Sequence, residues 1–194
     1  HSTHEGRRTP VRRPSPLTRR CPAAGRARCY AGPVSDTSGR GGTDENAGVD
    51  EHAGQRGPAA TIEIEPPAAD GLVLTYAPQR DGDPDAGEVV WTWVPYEEGD
   101  GRGKDRPVLV IGVQNAQRAY AVRLTSKSHE GDRDFLPIGP GAWDSQGRPS
   151  WVDIEQVYSV HRDGMRREAS ALDLTRFARV AQALQKRYGW SVGG

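Results

Sequence analysis

Three polar positions stand at the ends of apolar runs or inside one, and all three suit phosphate chemistry. Arg106 comes directly before Pro107 and the run Val108–Val113. Proline fixes its own φ and restrains the residue before it. A restrained guanidinium presents a planar, charged fork that matches a phosphate. Thr125 closes the alternating run Arg118–Ser126, where its hydroxyl can bond a phosphate oxygen; Ser126, Lys127, Ser128 and His129 follow it. Glu155 lies within Trp151–His161 and can act as a base or hold Arg106. Each position also has a plainer reading. Arginine is mostly exposed, threonine suits a strand on its own account, and a lone histidine in a polar turn is seldom catalytic. A strand glutamate commonly faces solvent.

Other chemistries lack their templates. There is no GxxxxGK[ST] loop, no GxGxxG between a strand and a helix, no HExxH and no GxSxG. The stretch Gly99–Lys104 is glycine-rich, but Arg106-Pro107 leads it into a strand. The helix N-terminus that would bind a nucleotide phosphate is missing. Cys21 and Cys29 have seven residues between them, which is not zinc-site spacing, even with His1 and His4 nearby. No metal and no cofactor are expected.

The elements that must position these residues centre on Gly87–Ser126. Glu88–Val94, Pro107–Val113 and Arg118–Ser126 are β-branched or alternating and predict three strands. The acidic loop Glu97-Glu98-Gly99-Asp100 lies between the first two, with Trp91, Trp93 and Tyr96 along its border. Leu72–Tyr76 is a possible earlier strand, and Thr61–Glu65 at most a short edge strand. Gly131–Ser150 reads as a long polar loop. Trp151–His161 is the next strand, with Val152, Ile154, Val157 and Val160 as core positions. Their parity changes after Ile154, which predicts a bulge near Glu155-Gln156. Asp163-Gly164 signals a turn, with brief pairing over Gly164–Arg167 beyond it. The last element is a helix from Leu174. Asp173 is its N-cap, Leu172 and Phe177 form a hydrophobic staple, and Gly189 ends it. Phe177, Val180, Ala181, Leu184 and Tyr188 make its apolar face. The fold class is therefore mainly β with α: a small, strongly bent sheet or barrel with a C-terminal helix.

Composition sets the boundaries. The formal net charge over 194 residues is zero, but residues 1–60 hold ten Arg against six acidic residues. The remainder holds sixteen Lys and Arg against twenty acids. A protein that coats nucleic acid is basic over a whole face, so nucleic-acid work here is confined to a small cationic pocket. Residues 1–71 carry too little apolar surface to offset chain entropy and read as a disordered extension and linker. Residues 1–33 look like translated GC-rich sequence upstream of the true start, with Val34 a candidate initiation site. The folded domain is expected over 72–190, with 191–194 as a tail. No apolar run of about 18 residues and no secretory h-region are visible, and a cytoplasmic protein with no membrane partner is expected.

Four motifs in order give a family resemblance. They are Gly87-Glu88-Val89-Val90-Trp91, then Lys104-Asp105-Arg106-Pro107-Val108-Leu109-Val110-Ile111, then Leu124-Thr125-Ser126, then Glu155-Gln156-Val157-Tyr158-Ser159-Val160. Together with the C-terminal helix they resemble the PemK/MazF toxins, and Gly147-Arg148-Pro149-Ser150-Trp151 resembles an actinobacterial branch of them. The resemblance covers about Gly87 to Trp190. It implies an SH3-like barrel, a homodimer, and a toxin of a type II toxin–antitoxin system that cleaves single-stranded RNA without metal. The RNA's own 2′-OH would attack the adjacent phosphate. Arg106 and Thr125 match the catalytic positions; Glu155 matches an acidic position of supporting role, with Ser126 and His129 beside the site. Lys104, Lys127, Trp93 and Tyr96 are the expected RNA contacts. A cognate antitoxin is the implied partner, with DNA binding in its company. Asp153 departs from the pattern, since some members carry Arg there. Two other readings remain open: a non-enzymatic toxin of the same barrel that binds DNA gyrase, and a barrel that binds a protein and cleaves nothing. The gyrase-binding relatives end in Trp-Gly-Ile, whereas this sequence reads Gly189-Trp190-Ser191-Val192-Gly193-Gly194.

Overall fold

The computed structural model describes residues 54–79, 83–96 and 100–193, without the side chains of residues 167–169. Among the described residues nine strands and one α-helix make up the body. In chain order they are β1 (Ile62–Ile64), β2 (Val73–Leu74), β3 (Glu88–Pro95), β4 (Gly103–Val113), β5 (Arg118–Thr125), β6 (Phe135–Gly139), β7 (Ser150–His161), β8 (Met165–Ala171), α1 (Leu174–Tyr188) and β9 (Ser191–Val192). Six strands run in the order β1-β7-β5-β4-β3-β8, and β6 pairs with β7 at one end. Every pairing in this sheet is antiparallel.

Alternation along the strands builds two cores. Val89, Leu109, Ile111, Val122, Leu124, Val152 and Val157 face one side. There they meet Phe177, Val180, Ala181 and Leu184 of α1, with Leu72, Leu74, Leu172 and Trp190 around them. Val90, Val94, Val108, Val110, Ala119, Ala121, Tyr158 and Val160 face the other side, with Met165. No helix belongs to that second cluster, so the sheet must curl to cover it. Its ladder does not close, because β1 and β8 remain the two ends. Side chains draw β1 toward β3 instead: Thr61 Oγ1 lies 2.7 Å from Thr92 Oγ1, and Thr92 Oγ1 lies 2.8 Å from the Gly164 carbonyl. The expected barrel is thus an open sheet rolled far enough to bury its concave face.

The N-terminal segment takes part in this roll. β1 pairs antiparallel with β7, Ile62 opposite Ser159. Arg118 donates from Nη2 to the Pro58 carbonyl at 2.6 Å and from Nη1 to the Ala60 carbonyl at 3.1 Å. Gly54 and Gly164 meet backbone to backbone, and a Cβ on Gly164 would lie 2.3 Å from the Ala59 carbonyl oxygen. The folded body therefore takes in residues 54–71, which the sequence places in a linker; only the edge strand at 61–65 is anticipated. The expectation of disorder for residues 1–53 lies outside the described residues. The supposed tail is structured as well. β9 pairs in parallel with β2, and fully buried Trp190 donates its indole N–H to the Pro67 carbonyl at 3.0 Å.

Other expectations meet their residues closely. Asp173 Oδ1 accepts from the Arg176 N–H at 2.9 Å, and Gly189 caps α1 with φ of 79°, the left-handed region that suits glycine. Val152, Ile154, Val157 and Val160 are all buried. The bulge in β7 falls between Val152 and Val157, which oppose Leu124 and Val122. Asp153 accounts for it: Oδ1 accepts the N–H groups of Glu155 and Gln156 that the bulge takes from the ladder. The region read as one long polar loop contains β6. Its short apolar run, Phe135–Ile138, is interrupted by Pro137, which obscures the pattern.

Candidate functional site

The sheet opens where β4 and β5 part. They pair from Val113–Ala119 to Val108–Arg123 and no further. Two more steps in that register would set Arg106 opposite Thr125. There β4 stays with β3, Arg106 opposite Thr92, while β5 stays with β7, Thr125 opposite Trp151. The gap leaves a cleft of about 240 Å³.

Arg106 and Thr125 both line this cleft, with Lys104, Ser126 and Lys127. All five are among the site residues that the sequence reading names, and the fold brings them to one opening. Arg106 Nε is buried and has no hydrogen-bond partner among the described residues, and the same holds for Trp91 Nε1 in the cleft wall. An unmet buried donor is costly, and both of these belong to residues of the cleft wall. Thr125 Oγ1 accepts the Lys127 N–H at 3.2 Å, which fixes the oxygen and leaves the hydroxyl proton to donate. Asp105 also lines the cleft but is ion-paired with Arg166 of β8. Its charge is thereby compensated, so the cleft keeps an excess of cations.

A wall missed by the sequence reading closes the cleft. Trp143, Asp144 and Arg148 come from the segment between β6 and β7, and Ser150 from the first position of β7. Trp143 is buried and donates Nε1–H to Ser150 Oγ at 3.1 Å. Its ring lies over Gly141, where a Cβ would come within 2.1 Å of it. Asp144 accepts the Gln146 N–H at 2.8 Å and the Arg148 Nε–H at 2.8 Å. Burial pushes the Asp144 carboxyl up, but the Gln146 N–H and the Arg148 guanidinium outweigh it and hold the group below its ordinary value of 3.8. The missed signal is the Arg-Pro dipeptide. Arg148-Pro149 repeats the pattern that singles out Arg106-Pro107.

The remaining expected residues lie elsewhere. Glu155 sits at the β7 bulge, 60% exposed, with Oε1 3.5 Å from Arg187 Nη2 of α1. The bulge turns it toward the helix, so it neither lines the cleft nor holds Arg106. His129 stacks on Phe135 with ring centroids 3.5 Å apart, and its Nδ1 is 3.4 Å from Asp132 Oδ2. It anchors the turn after Lys127 and does not line the cleft. Trp93 and Tyr96 line a separate groove with Gln55, Arg56 and Arg102. Its wall includes residues of the N-terminal segment, whose position the local pattern does not reveal. Of the acidic loop, Asp100 is ion-paired with Arg102, while Glu97, Glu98 and Gly99 lie outside the described residues. Asp153 holds Arg123 across the sheet, Oδ2 to Nη2 at 2.5 Å. Among the described residues no group of His, Cys, Asp and Glu is placed to hold a metal, and no helix is long and apolar enough to cross a membrane.

Comparison with known proteins places the chain in a family. Among solved structures, a mycobacterial endoribonuclease in complex with its cognate antitoxin is 17% identical, with a TM-score of 0.42, covering 55% of this chain and 96% of that one. The Mycobacterium tuberculosis toxin MazF-mt6 is 14% identical, with a TM-score of 0.38, covering 53% of this chain and 98% of that one. MazE-MazF from Deinococcus radiodurans is 24% identical, with a TM-score of 0.41, covering 56% and 97%. No curated protein matches the chain. The family model for the PemK-like, MazF-like toxins of type II toxin–antitoxin systems matches residues 85–187, more than half of the chain and the span that carries the whole cleft. The chain therefore belongs to the PemK-like, MazF-like toxins of type II toxin–antitoxin systems.

Proposed function

We propose that the protein is an endoribonuclease toxin that cuts single-stranded RNA at the cleft between β4 and β5. One observation carries this reading: Arg106, with an unmet buried donor, and Thr125, with a hydroxyl proton to give, line the same cation-rich opening. In the proposed reaction the 2′-OH of the RNA attacks the adjacent phosphorus. A 2′,3′-cyclic phosphate forms as the O2′–P bond is made and the P–O5′ bond breaks; the 2′-OH proton passes to solvent water, and the 5′-oxygen of the next nucleotide leaves with a proton. The nucleophile belongs to the substrate, so the protein needs to position and to stabilise charge. The Arg106 guanidinium meets the charge that builds on the phosphorane, and in this reading it also serves as donor to the leaving oxygen. Thr125 Oγ1 donates to a non-bridging oxygen. Lys104 and Lys127 attract the backbone. A homodimer and a cognate antitoxin complete the proposal, the antitoxin competing with RNA for the toxin. Binding to DNA belongs to the complex with antitoxin.

The test is cleavage of a long single-stranded RNA in EDTA by wild type, Arg106→Ala and Thr125→Ala. Site-selective cuts that survive EDTA and fall about 10²–10³-fold in Arg106→Ala are expected. Absence of cutting across RNAs of varied sequence, with DNA gyrase inhibited instead, would overturn the reading.

A further inference from the structure

The proposed reaction uses two side chains of the cleft and leaves a second guanidinium without a task. Arg148 stands on the wall between β6 and β7, about half exposed. Among the described residues its guanidinium makes one hydrogen bond, from Nε to Asp144 Oδ2 at 2.8 Å. A guanidinium has five donors in a rigid fork, so the Nη1 and Nη2 edge has no partner among the described residues. Asp144 is a firm base for it. Oδ1 takes the Gln146 N–H, and the carboxylate is held ionised by those same two contacts. The segment is pinned on both sides of Arg148, by buried Trp143 over Gly141 and by buried Ser150 at the start of β7. Pro149 restrains the Arg148 backbone as Pro107 restrains Arg106.

The charges in the cleft call for more than one phosphate. Lys104, Arg106, Lys127 and Arg148 line it, against Asp105, paired with Arg166, and Asp144, paired with Arg148. A single scissile phosphate between Arg106 and Thr125 does not need a separate fork on another wall. A chain with phosphates at regular intervals does. We propose that Arg148, presented by Asp144, clamps a phosphate flanking the scissile one and so fixes the direction of the RNA strand across the cleft. The inference rests on the RNA-cleaving reading of this site.

A neutral-linkage scan tests it. Short RNA oligonucleotides are made with one methylphosphonate at each position in turn, and KM and kcat are measured for wild type, Arg148→Ala and Arg148→Lys. Loss of a charge-assisted contact should raise KM about 10–100-fold in Arg148→Ala, with kcat changed less than about threefold. Wild type should be sensitive to neutralisation at one flanking phosphate, and Arg148→Ala should lose that sensitivity alone. Lysine keeps the charge but has no fork, so Arg148→Lys should fall between the two. A melting temperature of Arg148→Ala close to wild type separates the effect from unfolding. A fall in kcat with KM kept, or a linkage profile equal to that of wild type, overturns the clamp. Wild type that cuts no RNA overturns the reading beneath it.

Discussion

Replacing Arg106 by Met should destroy activity without harming the fold. The side chain ends in a charged group whose Nε is buried and unbonded. An unmet buried donor carries a desolvation cost of about 1–3 kcal/mol. Met keeps much of the aliphatic stem and removes the donor, so part of that cost should return as stability. We expect Arg106→Met to be as stable as wild type or more so by about 1 kcal/mol, a rise of about 2–4 °C in Tm for a chain of this size. Loss of a preorganised donor to the phosphorane should lower kcat about 10²–10³-fold, or about 2.7–4 kcal/mol of transition-state stabilisation. Thermal melts followed by circular dichroism give the first number. Single-turnover cleavage of a fluorescent RNA in EDTA gives the second. A variant destabilised by more than about 1.5 kcal/mol that still cuts within tenfold of wild type would show Arg106 to be a structural residue and refute the argument.

Other perturbations probe the scaffold. Trp190→Ala empties a fully buried site packed on α1 and breaks the bond to the Pro67 carbonyl. A loss of about 3–5 kcal/mol in denaturant unfolding is expected, and a loss under 1 kcal/mol would mean the C-terminal residues do not pack as described. Gly164→Ala sets a Cβ 2.3 Å from the Ala59 carbonyl oxygen. It should dislodge residues 54–60 and open them to limited proteolysis, whereas an unchanged cleavage pattern would refute the close crossing. The Asp144 carboxyl has a folded-state pKa below its ordinary 3.8. Its contribution is thus complete above that value and is lost as pH falls through the folded value. A carboxyl titration by NMR should find the Asp144 midpoint below 3.8, with no pH dependence of KM for RNA arising from Asp144 between about pH 5 and 8. A midpoint at or above 3.8 would contradict the Arg148 contact.

Legibility in the sequence follows the range of the interactions. α1 is marked by Asp173, Leu172, Phe177 and Gly189, all within a few residues of the turns they govern, and both its ends are readable. Arg106 and Thr125 stand at positions with motifs of their own, so their meeting is readable too. The bulge at Glu155 is visible as a break in parity, but its consequence is not. The break tells that the strand bends there; the Arg187 partner on α1, which draws Glu155 outward, is 32 positions away. Trp93 and Tyr96 flank the site in sequence yet belong to a groove walled by Gln55 and Arg56. The Trp143–Ser150 wall hides in a stretch of Gly, Pro, Asp and Ser because its order comes from one buried indole. Residues 54–64 look unable to fold, and on their own they could not; their partners are Arg118, Gly164 and β7.

The β2–β9 clasp has a consequence in time. It joins Val73 to Ser191, so almost the whole domain lies between the two strands. Pairings this distant in sequence close late, since the loop entropy must be met before they return anything. During synthesis Trp190 leaves the ribosome after the rest of the described core, and until it arrives the core around α1 lacks a large side chain. The cleft residues between Trp91 and Ser150 are made well before then, yet the scaffold that holds them becomes complete only once Trp190 and β9 have emerged. A nascent chain is thereby kept unfinished until β9 can pair with β2. Ribosome-stalled chains ending at Gly189 should accordingly show weaker protease resistance than released full-length protein.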